Sequence, residues 1–209
     1  MQERSAGVRA LALLVVTLAV YLLLWQVLSA YFQFPVYYYG RLIELLATLL
    51  FAALAVSTPM KFEEMGIVTS RQTLFRSLAL GGAVALFAVA LFALMGSLQG
   101  NSPLFLWHVR GDISRITYFA VAPFQEVLAK SVMLYSLELC FDRRHPHLAN
   151  LLAALVFGAF HVVYGIRMML LAMALSFITG MIFLRHRSVW GCAVAHFSLG
   201  FFPVCFGLA

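Results

Sequence analysis

Charge is what this sequence has least of. Its 209 residues include 14 Lys and Arg and 8 Asp and Glu, 11% in all, where a soluble domain carries roughly 25%. Apolar residues make up 64%, Phe alone contributes 19, and the mean hydropathy is +0.97. Such a chain has too few polar groups to cover its surface in water, so hydrocarbon must surround most of it. That excludes a soluble globular enzyme, a disordered segment and a nucleic-acid binding domain. Cysteine is scarce as well. Cys140, Cys192 and Cys205 are odd in number, widely spaced and near or inside apolar runs, which suits small buried hydrophobes rather than a disulfide framework or a CxxC site. Also missing are an HExxH helix, any His pair four residues apart, a GxSG-type serine motif and paired aspartates in adjacent apolar runs. Zincin-type, serine and aspartyl proteolysis therefore lack their usual handles.

What is present is a series of long apolar runs. They cover about 8–28, 42–56, 74–98, 116–140, 148–164, 168–184 and 189–208. A bilayer core needs about 20 apolar residues per helical span, and an open sheet edge cannot be satisfied in lipid. The expected fold is an all-α polytopic membrane protein, a bundle of about seven transmembrane helices with a range of six to eight. It forms a single integral membrane domain over 1–209, without internal repeats. The first run is long for a signal peptide and lacks a small-residue cleavage site. Tyr31, Phe32, Tyr37, Tyr38 and Tyr39 follow it like an interfacial belt, so it reads as a retained span. Residues 61–71 are the most polar stretch and predict a loop. Gln99, Gly100, Asn101, Ser102 and Pro103 form a turn signal, and 104–115 reads as an interfacial or re-entrant piece.

The few basic residues orient the bundle. With the N-terminus inside, the inner ends collect Arg4, Arg9, Lys61, Arg71, Arg76, Arg143, Arg144, Arg185 and Arg187. The outer ends collect Arg41, Arg110, Arg115 and Arg167. The excess predicts a cytoplasmic N-terminus and an outside C-terminus. The net charge of +6 then reports contact with lipid headgroups, not nucleic acid.

Polar groups inside the runs mark the candidate site. Glu126 and Lys130 lie within the fourth run, four residues apart on one helix face. His161 lies in the fifth run and His196 in the seventh, while Tyr164 follows His161 by three and is placed to orient it. A charge at that depth needs a partner or a task. A structural ion pair satisfies the first need, and interhelical hydrogen bonds satisfy the histidines. A Glu and a His facing one water form a general-base pair, and a second imidazole can donate to a developing oxyanion. Two His and one Glu can also hold zinc; the spacing favours no metal and no cofactor. Glu44 beside Arg41, and Glu138 near 142–144, sit close to run ends and read as structural.

These residues resemble the CPBP family, the CAAX-processing and bacteriocin-processing glutamic-type intramembrane proteases. The family pattern is a Pro-preceded Glu-Glu-x-x-x-Arg, then Phe-x-x-x-His, then His-x-x-x-Asn. Here Ala122-Pro123-Phe124-Gln125-Glu126-Val127 stands at the first motif, Phe157-Gly158-Ala159-Phe160-His161 fits the second, and Ala195-His196-Phe197-Ser198-Leu199-Gly200 is similar to the third. The resemblance covers about 60–205. Aligned on the proline, Glu126 takes the first Glu, Val127 replaces the second and Ser131 the Arg. Aligned on adjacency, Gln125 and Glu126 take the pair and Lys130 the Arg. The proline register keeps the catalytic carboxylate, and Lys130 then matches the Glu-Glu-x-x-Lys of PrsW-like proteases. Gly200 stands where the family has a side-chain donor.

The resemblance implies a metal-independent endopeptidase that cleaves a membrane-associated protein or peptide at a C-terminal tail, sorting signal or leader. Catalytic roles fall to Glu126, His161 and His196, with Lys130 and Tyr164 supporting. The implied partners are a membrane-anchored substrate and lipids, in a bacterial cell (inner) membrane. The competing readings are a non-catalytic membrane relative that binds a partner and a small transporter or proton relay. Counted from the run ends, Glu126 and His161 fall toward the outer half and His196 toward the inner half, an offset that the fold has to resolve.

Overall fold

A computed structural model describes residues 2–32, 36–57, 61–101 and 113–208. The described residues form helices and turns, with no strand among them. Seven helices among them follow the seven apolar runs: α1 (Gln2–Tyr31), α2 (Val36–Ser57), α3 (Arg71–Leu98), α4 (113–140), α5 (Pro146–Ala159), α6 (Ile166–His186) and α7 (Val189–Cys205). The piece read at 104–115 lies almost wholly outside the described residues. Three stretches, Arg4–Tyr31, Arg71–Leu98 and Ile166–His186, are long and apolar enough to cross a membrane by length and composition.

The helix ends follow local chemistry. Ser70 caps α3, its hydroxyl accepting from Thr73 N at 3.2 Å. The far end of α3 closes at Gly100, which takes a left-handed φ of +75°, and Asn101 N returns to Gly96 O at 2.9 Å. Pro146 opens α5, where a missing N–H costs nothing. The polar stretch after α2 is a run of turns at 61–70, and it is anchored by side chains. Tyr135 donates to Glu64 Oε2 at 2.9 Å, and Trp190 Nε1 donates to Ile67 O at 2.9 Å.

The core is built around α4. Every residue from Ala129 to Leu139 is buried, so this stretch is enclosed on all sides and has no lipid or solvent face. Its C-terminal part packs on α1, its N-terminal part on α7, and its middle on α5. By contrast α3 exposes Phe75, Leu86 and Phe87, each at 70% or more. Close helix contact uses small residues, as expected where lipid gives no hydrophobic drive to association. A Cβ on Gly81 of α3 would strike the backbone of Gly191 in α7, and one on Gly191 would strike Ser77. The same crossing carries Gly191 N to Ser77 Oγ, 3.1 Å.

Two features set the height of the site. Glu138 at the end of α4 is 1% exposed and is gripped by both terminal nitrogens of Arg187, with Nη2 to Oε1 at 2.7 Å. Above this clamp the middle of α4 is a π-helix over Val127–Leu134, in which Tyr135 N reaches back five residues to Lys130 O. A π-helix holds more residues per turn and advances less per residue than an α-helix.

Candidate active site

Glu126 stands at the junction of the α and π parts of α4, three residues after Pro123. Its carboxylate is fully buried. Oε1 lies 2.8 Å from His196 Nδ1 and 3.3 Å from Thr179 Oγ1. Thr179 has one hydroxyl proton and three acceptors in reach, since the carbonyls of Leu175 and Ser176 stand at 3.1 and 3.3 Å. Oε2 lies 3.9 Å from Lys130 Nζ and has no hydrogen-bond partner among the described residues. The ammonium is fully buried too, and it donates to Ser176 O at 2.7 Å and Ser176 Oγ at 2.8 Å. Two opposite charges, each too costly to bury alone, thus share one pocket of acceptors and donors from α4, α6 and α7.

The offset expected between Glu126 and His196 does not exist. Glu126 lies twelve residues before Glu138, and His196 nine after Arg187. The clamp sets a common origin, and the compressed π stretch brings the longer path to the same level. Tyr118 and Phe157 hold the His196 ring edge-on, each with centroids 5.9 Å away.

His161 is positioned differently. The span read as running to residue 164 ends as a helix at Ala159, and a 3₁₀ turn over Val162–Tyr164 follows. His161 therefore sits past the helix end, where His161 N tightens onto Gly158 O at 2.8 Å. Its Nδ1 is 2.8 Å from Phe157 O. A carbonyl only accepts, so the proton is on Nδ1 and Nε2 carries the free lone pair. The imidazole is thus oriented by the Phe157 carbonyl; the Tyr164 ring lies 6.2 Å from it, with its hydroxyl close to Gly40 of α2. Phe157 stands beside both imidazoles, 4.8 Å from the His161 ring. His161 also lines an apolar cavity of about 70 Å³ with Leu14, Ile43, Glu44, Leu128 and Phe160. Glu126 and His196 do not line it. Among the described residues no three His, Cys, Asp or Glu side chains gather as a metal-ligand set.

Residues 113–202 match the family model described as Type II CAAX prenyl endopeptidase Rce1-like. Over this segment, which is less than half of the chain, the sequence is similar to the Rce1-like proteases of the CPBP family. No curated protein and no solved structure matches the chain.

The Rce1-like segment takes in α4 to α7 almost whole, and with them Glu126, Lys130, His161, Tyr164 and His196. Helices α1 to α3 lie outside it. Three neighbours of the site escaped the reading of the sequence: Thr179 and Ser176 on α6, and Tyr118 on α4. Ser176 and Thr179 are three residues apart, so they share a face of an otherwise apolar helix, and that spacing was the available signal. The structural readings of two other carboxylates agree with the contacts found. Glu44 pairs with Arg41 at 2.8 Å, and Glu138 with Arg187.

Proposed function

We propose that this chain is an integral membrane endopeptidase of the glutamic type, acting on a membrane-anchored protein or peptide. The observation that carries the reading is the fully buried Glu126 carboxylate, hydrogen-bonded to His196 and paired with Lys130, inside an Rce1-like segment. The family's description names CAAX prenyl endopeptidases, which supports a C-terminal tail, sorting signal or leader as the cleaved part.

In the proposed reaction, Glu126 and the Nε2 lone pair of His161 polarise one water and take its proton. The hydroxide oxygen adds to the scissile carbonyl carbon, and His196, acting as an imidazolium whose Nδ1–H is held by Glu126, donates its Nε2–H to the negative carbonyl oxygen. Collapse breaks the C–N bond, and the stored proton passes to the leaving amine. Lys130 fixes the Glu126 carboxylate and balances its charge. Tyr164 borders the His161 turn. No metal or cofactor enters the scheme. The seven helices cross the bilayer of a bacterial cell membrane, with the N-terminus cytoplasmic and the C-terminus outside, and lipids cover the apolar outer faces.

The test is cleavage of a co-reconstituted membrane-anchored reporter bearing a candidate tail from a neighbouring gene. Wild-type protein cleaves it, Glu126→Gln and His161→Ala do not, and a chelator leaves the wild-type rate unchanged. Cleavage by Glu126→Gln at the wild-type rate overturns the reading. The departures at Val127 and Gly200 favour one rival, a non-catalytic relative, and reporter binding without cleavage by the wild type would establish it.

A further inference from the structure

Gly200 lies four residues after His196 in α7, so the two share a helix face and the side chain missing at 200 leaves a gap beside the imidazole. That gap is filled. A Cβ built on Gly200 would collide with the Tyr118 hydroxyl and would lie 2.7 and 2.9 Å from the ring carbons Cζ and Cε1. Tyr118 reaches this point from α4, two turns before Glu126, and its ring meets that of His196 edge-on at 5.9 Å. Phe197 stacks along it at 6.1 Å. The tyrosine is thus held from two sides, with its polar tip over Gly200.

We infer that the Tyr118 hydroxyl is a catalytic hydrogen-bond donor, standing in the space of the absent residue-200 side chain and acting with His196 on the oxyanion. The inference rests on the endopeptidase reading above. A phenol suits the position because its O–H donates without carrying a charge into an apolar site. Its two-bond side chain is also already fixed by packing, so little order is lost when the oxyanion forms. Access agrees with this assignment. Glu126 and His196 are 0% and 2% exposed, whereas Tyr118 is half-buried and Gly200 is exposed. The Tyr118–Gly200 contact therefore lies nearer the surface than the Glu126 carboxylate. The glycine is required by this arrangement, since any side chain at 200 displaces the phenol.

The experiment compares wild type, Tyr118→Phe, Tyr118→Ala and the double variant Tyr118→Ala/Gly200→Asn on the reporter, with Glu126→Gln as the reference. Tyr118→Phe keeps the ring packing and is expected to lower kcat on the order of 100-fold, with KM and the thermal midpoint unchanged. Tyr118→Ala clears the space over Gly200, and the asparagine added in the double variant is expected to restore about 10-fold of the kcat lost, part of what one oxyanion donor supplies. Wild-type kcat in Tyr118→Phe overturns the inference while the endopeptidase reading stands, provided that Glu126→Gln is inactive. A Tyr118→Phe that loses kcat and thermal stability together, with no rescue by Gly200→Asn in the double variant, also overturns it, because that is a packing role. Failure of the wild type to cleave overturns both.

Discussion

His196 Nδ1 and Glu126 Oε1 stand 2.8 Å apart, with both side chains shut off from the surface. The contact joins α7 to the central helix, and it fixes which imidazole edge remains for chemistry. With Nδ1 engaged, only Nε2 of His196 is left to face a substrate. His161 is held through the same ring nitrogen by another route, since Phe157 O occupies its Nδ1. Both histidines therefore present Nε2, one anchored by a carboxylate and the other by a backbone carbonyl.

The carboxylate has a second dependence, on Lys130. Lys130→Met removes the cation 3.9 Å from Oε2 and the donor to both Ser176 oxygens. Breaking a buried pair from one side costs about 3–5 kcal/mol, and that loss is expected in unfolding measured in bicelles. The double variant Glu126→Gln/Lys130→Met is expected to recover most of the stability and none of the cleavage. A Lys130→Met protein as stable as the wild type would show that the pair is not coupled.

The fold was legible for a physical reason. Helix ends in an apolar chain are marked by Gly, Pro and charge, so the runs that stop at Gln99–Gly100 and at Arg185–Arg187 end in the structure at Leu98 and His186. The errors arose where apolar sequence continued but the helix did not. Phe160 and Val162 prolong the fifth run past Ala159, and only the turn at Gly165, with φ +93°, shows why the helix has already closed. The site was half legible. Glu126, Lys130, His161 and His196 stood out because such groups are costly in lipid. Thr179 did not, because hydroxyls in apolar helices usually bond their own backbone, as Thr17 does to Leu13 O at 2.8 Å. The π stretch left no mark either. Its apolar residues satisfy any helical period, so the depth of Glu126 was misjudged.

The crossing of α3 and α7 depends on two glycines. Gly81→Val sets a branched side chain against the Gly191 backbone, and neither helix can yield without losing the Ser77 to Gly191 N contact. Overpacking of this kind costs about 1–3 kcal/mol. The thermal midpoint in detergent should fall accordingly, while Gly82→Val, with open space around its Cβ, should leave it unchanged. Equal effects at 81 and 82 would point to helix propensity rather than close approach.

The proposed orientation makes opposite demands on two exposed turns. A cysteine introduced at Arg144, beyond the inner end of α4, should react with a membrane-impermeant maleimide only after the cells are opened. One introduced at Ile166, 62% exposed at the start of α6, should react in intact cells. The native Cys192 and Cys205 are fully buried, so Cys140→Ala gives a silent background. Labelling of both sites from one side would mean that α5 does not cross the bilayer.

The clamp between Glu138 and Arg187 is expected to govern both stability and geometry. Glu138 is buried and Arg187 supplies two parallel N–H donors to it, a fork that an ammonium cannot reproduce. Arg187→Ala leaves the carboxylate unpaired and should cost about 3 kcal/mol, the low end for a buried pair, because the Arg187 side chain is 45% exposed. Arg187→Lys should recover only part of this. The same clamp sets the common level from which Glu126 and His196 are reached, so kcat should fall with stability in the Ala variant. Glu138→Gln/Arg187→Met, which removes both charges, is the control: it should regain stability, and if it also regains kcat, the neutral pair holds the level as well as the ionic one. Unfolding in bicelles and reporter turnover on the three variants together separate the two contributions.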